Sequence, residues 1–334
     1  MRKLFPLFLC IFLLTGCQPQ AYSSQTFAMD TLMQFTIYGR NGQEALAHAS
    51  ARIQALEQLF SVTRTQSGVY AVNHARGEGT AVPEELYELA ARTLDLCRET
   101  GGALDLTAYP AVRAWGFTTG EYRVPDAETL EELAACIDYS RVELEENRIR
   151  LPDGMELDFG ATAKGYAGEV LARELREMGV ECAILSLGGN VQTIGSRPTG
   201  DPWRVGVQDP EGEDYLLVLS VVDQAVVTSG GYQRFFEENG LRYWHIMDPD
   251  TAAPARSGLS SVTIVGDSGT LCDGLSTALF VMGREEAAAY WRAHPEFEAV
   301  LVSEDGSIAV TEGLEDRFVL NAGYEDRDVE VIRR

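Results

Sequence analysis

The sequence predicts an α+β fold with mixed and antiparallel sheets against which helices pack. Three observations lead there. Short stretches of alternating or β-favouring residues are interleaved with stretches whose apolar residues recur at helical spacing. These stretches alternate as strands, hairpins and helices without the regular crossovers of a doubly wound sheet. The chain has 334 residues, 45% of them hydrophobic and with no periodic repeat, enough to bury a large interior without disulfide or metal staples.

Residues 1–16 carry Arg2 and Lys3 and then an almost unbroken apolar run, too short to span a bilayer comfortably, ending at Leu14-Thr15-Gly16 before Cys17. That pattern predicts a lipoprotein export signal, cleaved so that Cys17 becomes the lipid (palmitate) attachment point. Residues 17–26 are then expected to be a lipidated N-terminus and polar tether, 27–325 the folded domain, and 326–334 a charged tail.

AMDTLMQFTIYG at 28–39 predicts a strand. EALAHASARIQALEQLF at 44–60 and PEELYELAARTLDLCRETG at 83–101 predict helices, with Ala45, Ala49, Ile53, Leu56 and Phe60 inward in the first and Leu86, Leu89, Ala90 and Leu94 in the second. The polar, glycine-containing segment between them cannot be one long regular element. Residues 101–125 read as loops around at most one helical turn, and 126–137 as a short helix with acids at its positive end. RVELEENRIRLPDGMELDFG predicts a hairpin leading into a third strand. TAKGYAGEVLARELREMG at 162–179 is the clearest helix, with Gly179 as its stop. ECAILSLGG, WRVGVQD, YLLVLSVVD, QAVVTSG and SSVTIVG predict strands. DGLSTALFVMG and REEAAAYWRAH predict helices, and EAVLVSEDG and SIAVTEG close the series as strands.

The formal charge of −24 argues against nucleic acid as a partner, since no basic patch interleaved with aromatics offsets it. A phosphate ligand would have to be held by local donors, one or two lysines and a bound cation. Cys97, Cys136, Cys182 and Cys272 are isolated, form no CxxC pair and are expected to be free thiols.

Several polar residues stand in apolar surroundings. Asp273 and Thr277 place a carboxylate and a hydroxyl one helical turn apart near an expected helix start, suited to a hard divalent cation; an N-terminal Asp and a Thr bonding back to its own helix are the plain alternative. Asp158 and Lys164 flank the turn into the 162–179 helix, whose exposed amides can take phosphate oxygens and whose Thr162 can cap it. A solvated lysine is the competing reading, because neither phosphate-loop nor GxGxxG spacing is present. Gly188, Gly189 and Asn190 at the end of an apolar strand allow close backbone approach or merely a tight turn. Thr228 and Ser229 pose the same choice between phosphate contact and capping. His245, in WHIMDP, is the sharpest candidate for accepting a hydroxyl proton, with Asp248 and Asp273 as rivals or helpers, against a structural histidine. Met29, Tyr70 and Tyr109 offer apolar surface to an aromatic ring; Trp115 and Phe117 divide evenly between core and ligand wall.

In order and spacing, AMDT, the Ser67 to Asn73 stretch, DLTAYPAVRAWGF, LDFGATAKGYA, SLGGN, WRVGVQDP, TSGGYQRFF, HIMDPDTAAP and CDGLSTALFVMG resemble the ApbE family over nearly the whole chain after residue 16. Those flavin transferases move the FMN part of FAD onto a threonine or serine hydroxyl of another protein. The resemblance implies a T-fold-like architecture, with two closely connected subdomains around a flavin cleft. It implies FAD as substrate, Mg2+ held by Asp273, Thr277 and a backbone oxygen at Ala161, and flavin contacts from Met29, Tyr70, Tyr109, Asp158, Lys164, Gly188, Gly189, Asn190, Thr228, Ser229 and His245. Catalytic roles fall on His245, Asp273 and Lys164. It also implies an exported or membrane-associated acceptor, and a location on the extracytoplasmic face of the cell membrane through the lipid anchor. Three positions depart from the family pattern: Asp30 stands where glycine is frequent, DLTAYP at 105–110 replaces DPTxGP, and Ala252 replaces a common glycine. Hydrolysis of FAD to FMN and AMP in the same cleft is the alternative activity. Flavin binding without turnover and a purely structural surface role are weaker ones, because the His, metal and lysine set is retained.

Overall fold

The computed structural model describes residues 20–334, so the export signal and Cys17 lie outside the described residues. Its centre is a nine-stranded sheet: β1 (Ala21–Ala28), β2 (Thr31–Tyr38), β3 (Cys182–Leu187), β4 (Asn190–Ile194), β5 (Ala225–Gly230), β6 (Leu259–Gly266), β7 (Phe297–Ser303), β8 (Ile308–Thr311) and β9 (Val329–Ile332). The spatial order of the strands is their chain order. All neighbours pair antiparallel except β8 and β9, which are parallel.

Alternation along the strands divides the core. In β5, Ala225 and Val227 pack with Leu275, Leu279 and Phe280 on the helical side, while Val226 faces the cluster of Trp203, Val205, Leu217 and Leu219. The latter belongs to a three-stranded sheet (Trp203–Gln208, Tyr215–Val221, Phe318–Leu320) on the opposite face. On the helical face lie α1 (Gly42–Phe60), α2 (Glu84–Glu99), α3 (Ala163–Glu177), α4 (Gly269–Met282) and α5 (Arg284–Ala293), the long helices among the described residues. The inward residues expected for α1 and α2 are buried. Cys97, Cys136, Cys182 and Cys272 are free, as expected.

The contact between α3 and α4 positions the site. A Cβ at Gly165 would lie 2.1 Å from the Gly269 carbonyl oxygen, and one at Gly269 would lie 2.4 Å from the Gly165 oxygen. Two glycines therefore let the helix backbones touch where each begins.

Several expectations need correction. Residues 21–26 are not a tether: they form most of β1, paired throughout with β2. The small and polar residues of AYSSQT suit an edge strand with little core contact. Residues 329–332 are not tail but β9, where Val329 and Val331 pack on the core and Ile332 is buried. The strand expected at 28–39 is the second arm of a hairpin, closed by Met29 and Asp30 at φ 49° and 61°; two successive residues at positive φ make a tight two-residue turn. The 143–150 hairpin forms, but the segment after it up to Phe159 turns at 153–154 and belongs to no sheet, so no third strand follows. Thr162 does not cap α3; its hydroxyl bonds to the Thr93 hydroxyl at 3.0 Å.

Candidate active site

Above the starts of α3 and α4 opens a cleft of about 610 Å³, bounded by the β1–β2 turn, the β3–β4 glycine turn, the end of β5 and the His245 segment. Met29, Asp158, Ala161, Lys164, Gly188, Gly189, Asn190, Thr228, Ser229, His245, Asp273 and Thr277 all line it. Residues spread over nearly 250 positions thus meet in one cavity, within the size range of small-molecule sites.

Asp273 sits in the second turn of α4, not at its start, because Ser268 caps the helix through the Leu271 amide and Gly269 begins it. The carboxylate is 4% exposed, and its Oδ2 accepts the Gly165 N–H at 2.8 Å. Burial raises its pKa, while Lys164, the Asn190 amide and the Gly165 and Lys164 amides pull it down. The Asn190 amide lies close enough for that influence, yet its Nδ2 is buried without a hydrogen-bond partner of good geometry. Because the Gly165 N–H turns to Asp273, no hydrogen bond within the described residues ends on the Ala161 carbonyl. Thr277 lies one turn beyond Asp273 on the same face of α4, its Oγ1 3.2 Å from Ser229 Oγ, which also bonds Ser276 at 2.7 Å. A buried carboxylate, a free carbonyl and a hydroxyl make an all-oxygen donor set for a hard divalent ion, with room for water or phosphate. No cluster of three or more His, Cys, Asp or Glu side chains suited to a metal occurs among the described residues, so such an ion would rest on one carboxylate and neutral oxygens.

Lys164 projects from the first turn of α3 and makes no salt bridge among the described residues. At a helix N-terminus this ammonium favours an anion, but the amides expected to help are already taken: Ala163 N–H donates to the Phe159 carbonyl at 2.7 Å and Gly165 N–H to Asp273. The opposite wall is the Gly188-Gly189 turn, at φ 66° and 97°; a Cβ on Gly188 would lie 2.2 Å from Thr31 Oγ1, so only glycine fits under the hairpin.

His245 is part-buried, with its ring edge on Phe117. Its Nδ1 is 3.3 Å from the Arg234 carbonyl. A carbonyl can only accept, so Nδ1 carries the proton and Nε2 keeps a free lone pair. Burial, together with Arg234 and Lys164, lowers its pKa to about 3, leaving it neutral over the physiological range. Asp158, part-buried on the cleft wall, moves the other way: burial raises it to about 6 against the Gly160 N–H and Arg234.

Not every expected residue converges. Tyr70 stacks on His74 at a centroid distance of 3.8 Å and lines no part of the cleft. Tyr109 is buried outside it and reaches an adjoining chamber instead. Asp248 is displaced by Pro249 at the wall; it closes the turn that holds Ala252, which is buried at φ 53° where the family pattern has glycine. Trp115 is core, donating Nε1–H to the Ala252 oxygen at 2.8 Å, and Phe117 is core with one side on the adjoining chamber. Sequence reasoning did not single out Asp105, Gln208, Tyr232, Gln233 and Arg234, which also line the cleft. Arg234 bridges Asp30 at 3.6 Å and the Phe117 carbonyl at 2.7 Å; a lone arginine beside TSGGY was the available signal.

The sheet and this polar cleft define an α+β protein with a small-molecule site where two helices begin. The chain belongs to the ApbE family, whose model matches residues 29–301. A FAD:protein FMN transferase of Treponema pallidum is 33% identical over 91% of this chain and 90% of its own length, and one of Klebsiella pneumoniae is 32% identical over 92% and 97%. The crystal structure of the ApbE protein of Thermotoga maritima superposes with a TM-score of 0.85 at 32% identity, covering 89% of this chain and 99% of that one. The apo flavinyl transferase of Pseudomonas stutzeri gives 0.81 at 27% identity, over 90% and 98%.

Proposed function

We propose that this protein transfers the FMN part of FAD to a threonine or serine hydroxyl of an acceptor protein, with Mg2+ bound at Asp273, Thr277 and the Ala161 carbonyl. The acceptor oxygen forms a bond to the FMN-side phosphorus, the bond from that phosphorus to the bridging oxygen breaks, and AMP leaves with it. The hydroxyl proton passes to Nε2 of His245, kept free by the Nδ1 contact with Arg234. Lys164 holds phosphate oxygens and offsets charge on the leaving group. The Gly188-Gly189 turn brings backbone against the nucleotide. The metal, when bound, would neutralise diphosphate charge. The acceptor supplies the nucleophile, so no internal serine or cysteine is needed.

The observation that carries this reading is the triangle formed where α3 meets α4: a buried Asp273 carboxylate held by Gly165, an unclaimed Ala161 carbonyl and the Thr277 hydroxyl. The same reading includes lipidation at Cys17, attachment to the extracytoplasmic face of the cell membrane, and an exported or membrane-associated acceptor.

Incubation with FAD, Mg2+ and a threonine-bearing acceptor, read by intact mass and AMP release, tests it. One FMN added per acceptor with one AMP released is expected. Free FMN and AMP with an unmodified acceptor would replace transfer by hydrolysis. Asp273→Ala should reduce AMP release by about a hundredfold, the scale of removing one preorganised electrostatic element, and unchanged turnover at limiting Mg2+ would remove the metal assignment.

A further inference from the structure

A second chamber of about 430 Å³ lies beneath the β1–β2 hairpin, between the 61–64 loop and the Tyr109–Thr118 segment. It shares Met29, Asp30, Val112, Asp158, Gly160, Lys164 and Arg234 with the main cleft but contains none of Asp273, Thr277, Asn190 or the glycine turn. The two cavities therefore meet at the phosphate-facing wall and diverge from it. On the outer rim, Phe27 and Leu32 are cross-strand neighbours at the hairpin tip, 66% and 57% exposed. Two large apolar side chains paired on a surface otherwise rich in charge mark a contact site, and the outer edge of β1 is unpaired among the described residues.

We propose that this chamber is the entrance for a peptide loop of the acceptor protein and that the Phe27–Leu32 pair is its apolar docking contact. The inference rests on the transfer reading above. An in-line displacement needs the attacking hydroxyl opposite the leaving AMP, so nucleophile and dinucleotide must reach the phosphorus from different directions. The chamber supplies a second direction, ending at Lys164 and Asp158. Its volume admits a loop but not a domain, so the body of the acceptor stays outside, where the exposed pair meets it. The pair is joined to the cleft by the two turn residues Met29 and Asp30, which line both cavities.

The test uses the whole protein with FAD, Mg2+ and a pool of nine-residue peptides, each with a central threonine and randomised flanks. AMP release, FMN-labelled peptides and FAD affinity are read in parallel. The parent enzyme is expected to label threonine peptides with apolar flanks enriched about tenfold, the scale of an interface hot spot. The doubly substituted variant Phe27→Ser, Leu32→Ser should lose that enrichment with FAD affinity and thermal stability unchanged, both side chains being exposed. Thr63→Trp, at the exposed mouth of the chamber, should cut labelling at least about tenfold while FAD affinity stays constant. Labelling without flank preference, or a loss of FAD affinity in Thr63→Trp equal to its loss of labelling, overturns the proposal; the latter makes the chamber part of the flavin pocket. AMP release without labelled peptide also overturns it and favours hydrolysis. Absence of AMP release altogether sinks the transfer reading itself.

Discussion

Replacing Gly165 by alanine tests the contact on which the cleft is built. The new Cβ would sit 2.1 Å from the Gly269 carbonyl oxygen and 2.6 Å from Asp273 Cβ, where ordinary contact begins at 3.4 Å. Neither neighbour is a flexible side-chain end, so α3 and α4 must part by roughly an ångström. Such overpacking costs about 1–3 kcal/mol. The same movement stretches the 2.8 Å bond from the Gly165 amide to Asp273 beyond hydrogen-bonding range, and a hydrogen bond to a charged group adds about 1.5–3 kcal/mol. At about 2–4 °C per kcal/mol for a large domain, Tm should fall by about 10 °C. Calorimetry or circular dichroism measures this, and a magnesium titration of AMP release should show a weaker apparent affinity, because the carboxylate and the Ala161 carbonyl lose their fixed separation. Gly168→Ala is the control: it lies on the same helix with the same propensity gain, and its Cβ would be no closer than 3.3 Å to Gln192. If Gly165→Ala melts within about 2 °C of the parent with unchanged magnesium dependence, the close approach does not organise the site.

His245→Ala should slow transfer by about 10²–10⁴-fold, the range for a lost general base, with FAD affinity little changed. Because burial holds its pKa at about 3, the imidazole is neutral and competent above that pH; a rate limb near 6.5 in the parent that vanishes in the variant would refute the depressed value. Asp158→Asn tests the opposite shift. The folded-state pKa, raised from 3.8 to about 6, gives a contribution that favours the fold below pH 3.8 and is lost as pH rises through about 6. With solvent screening at the cleft wall this amounts to about 1–2 kcal/mol. The variant should therefore gain that much over the parent between pH 4 and pH 8 in denaturant titrations, and parallel pH dependence in the two proteins would contradict it. Tyr70→Ala should leave FAD affinity within about twofold, since Tyr70 stacks on His74 away from the cleft; a loss larger than about fivefold, or near 1 kcal/mol, would return the ring to the site.

What the sequence made legible follows the strength of its periodic signals. The helices at 44–60 and 162–179 repeat apolar residues over several turns, and both stand where expected. Edge strands escaped for a physical reason. β1 alternates small and polar residues because it buries little, and β9 lies in a charged stretch whose alternation is only four residues long. The position of Asp273 was misjudged by one turn because Ser268, rather than the aspartate, satisfies the first free amides of α4. Most of the residues that line the cleft were named through their ordered motifs, since no local periodicity says that Met29, Gly188 and Asp273 share a cavity. Arg234 and Asp105 went unmarked because one charged residue in a turn has no signature. Tyr70 was expected at the flavin because it stands beside a recognised motif, but its part-buried ring stacks on His74 along its own short helix.

β1 runs directly into the turn that carries Met29 into the cleft, so few residues separate that turn from Cys17. With the proposed lipid on Cys17, the twelve intervening peptide steps could stretch to about 40 Å at most, and eight of the residues are held in a stiff strand. That reach is no more than about the width of one small folded domain. Reach from the bilayer would then select substrates before chemistry does: a hydroxyl displayed close to the lipid headgroups is accessible, and one carried far into the bulk phase is served only by a partner that diffuses to the surface.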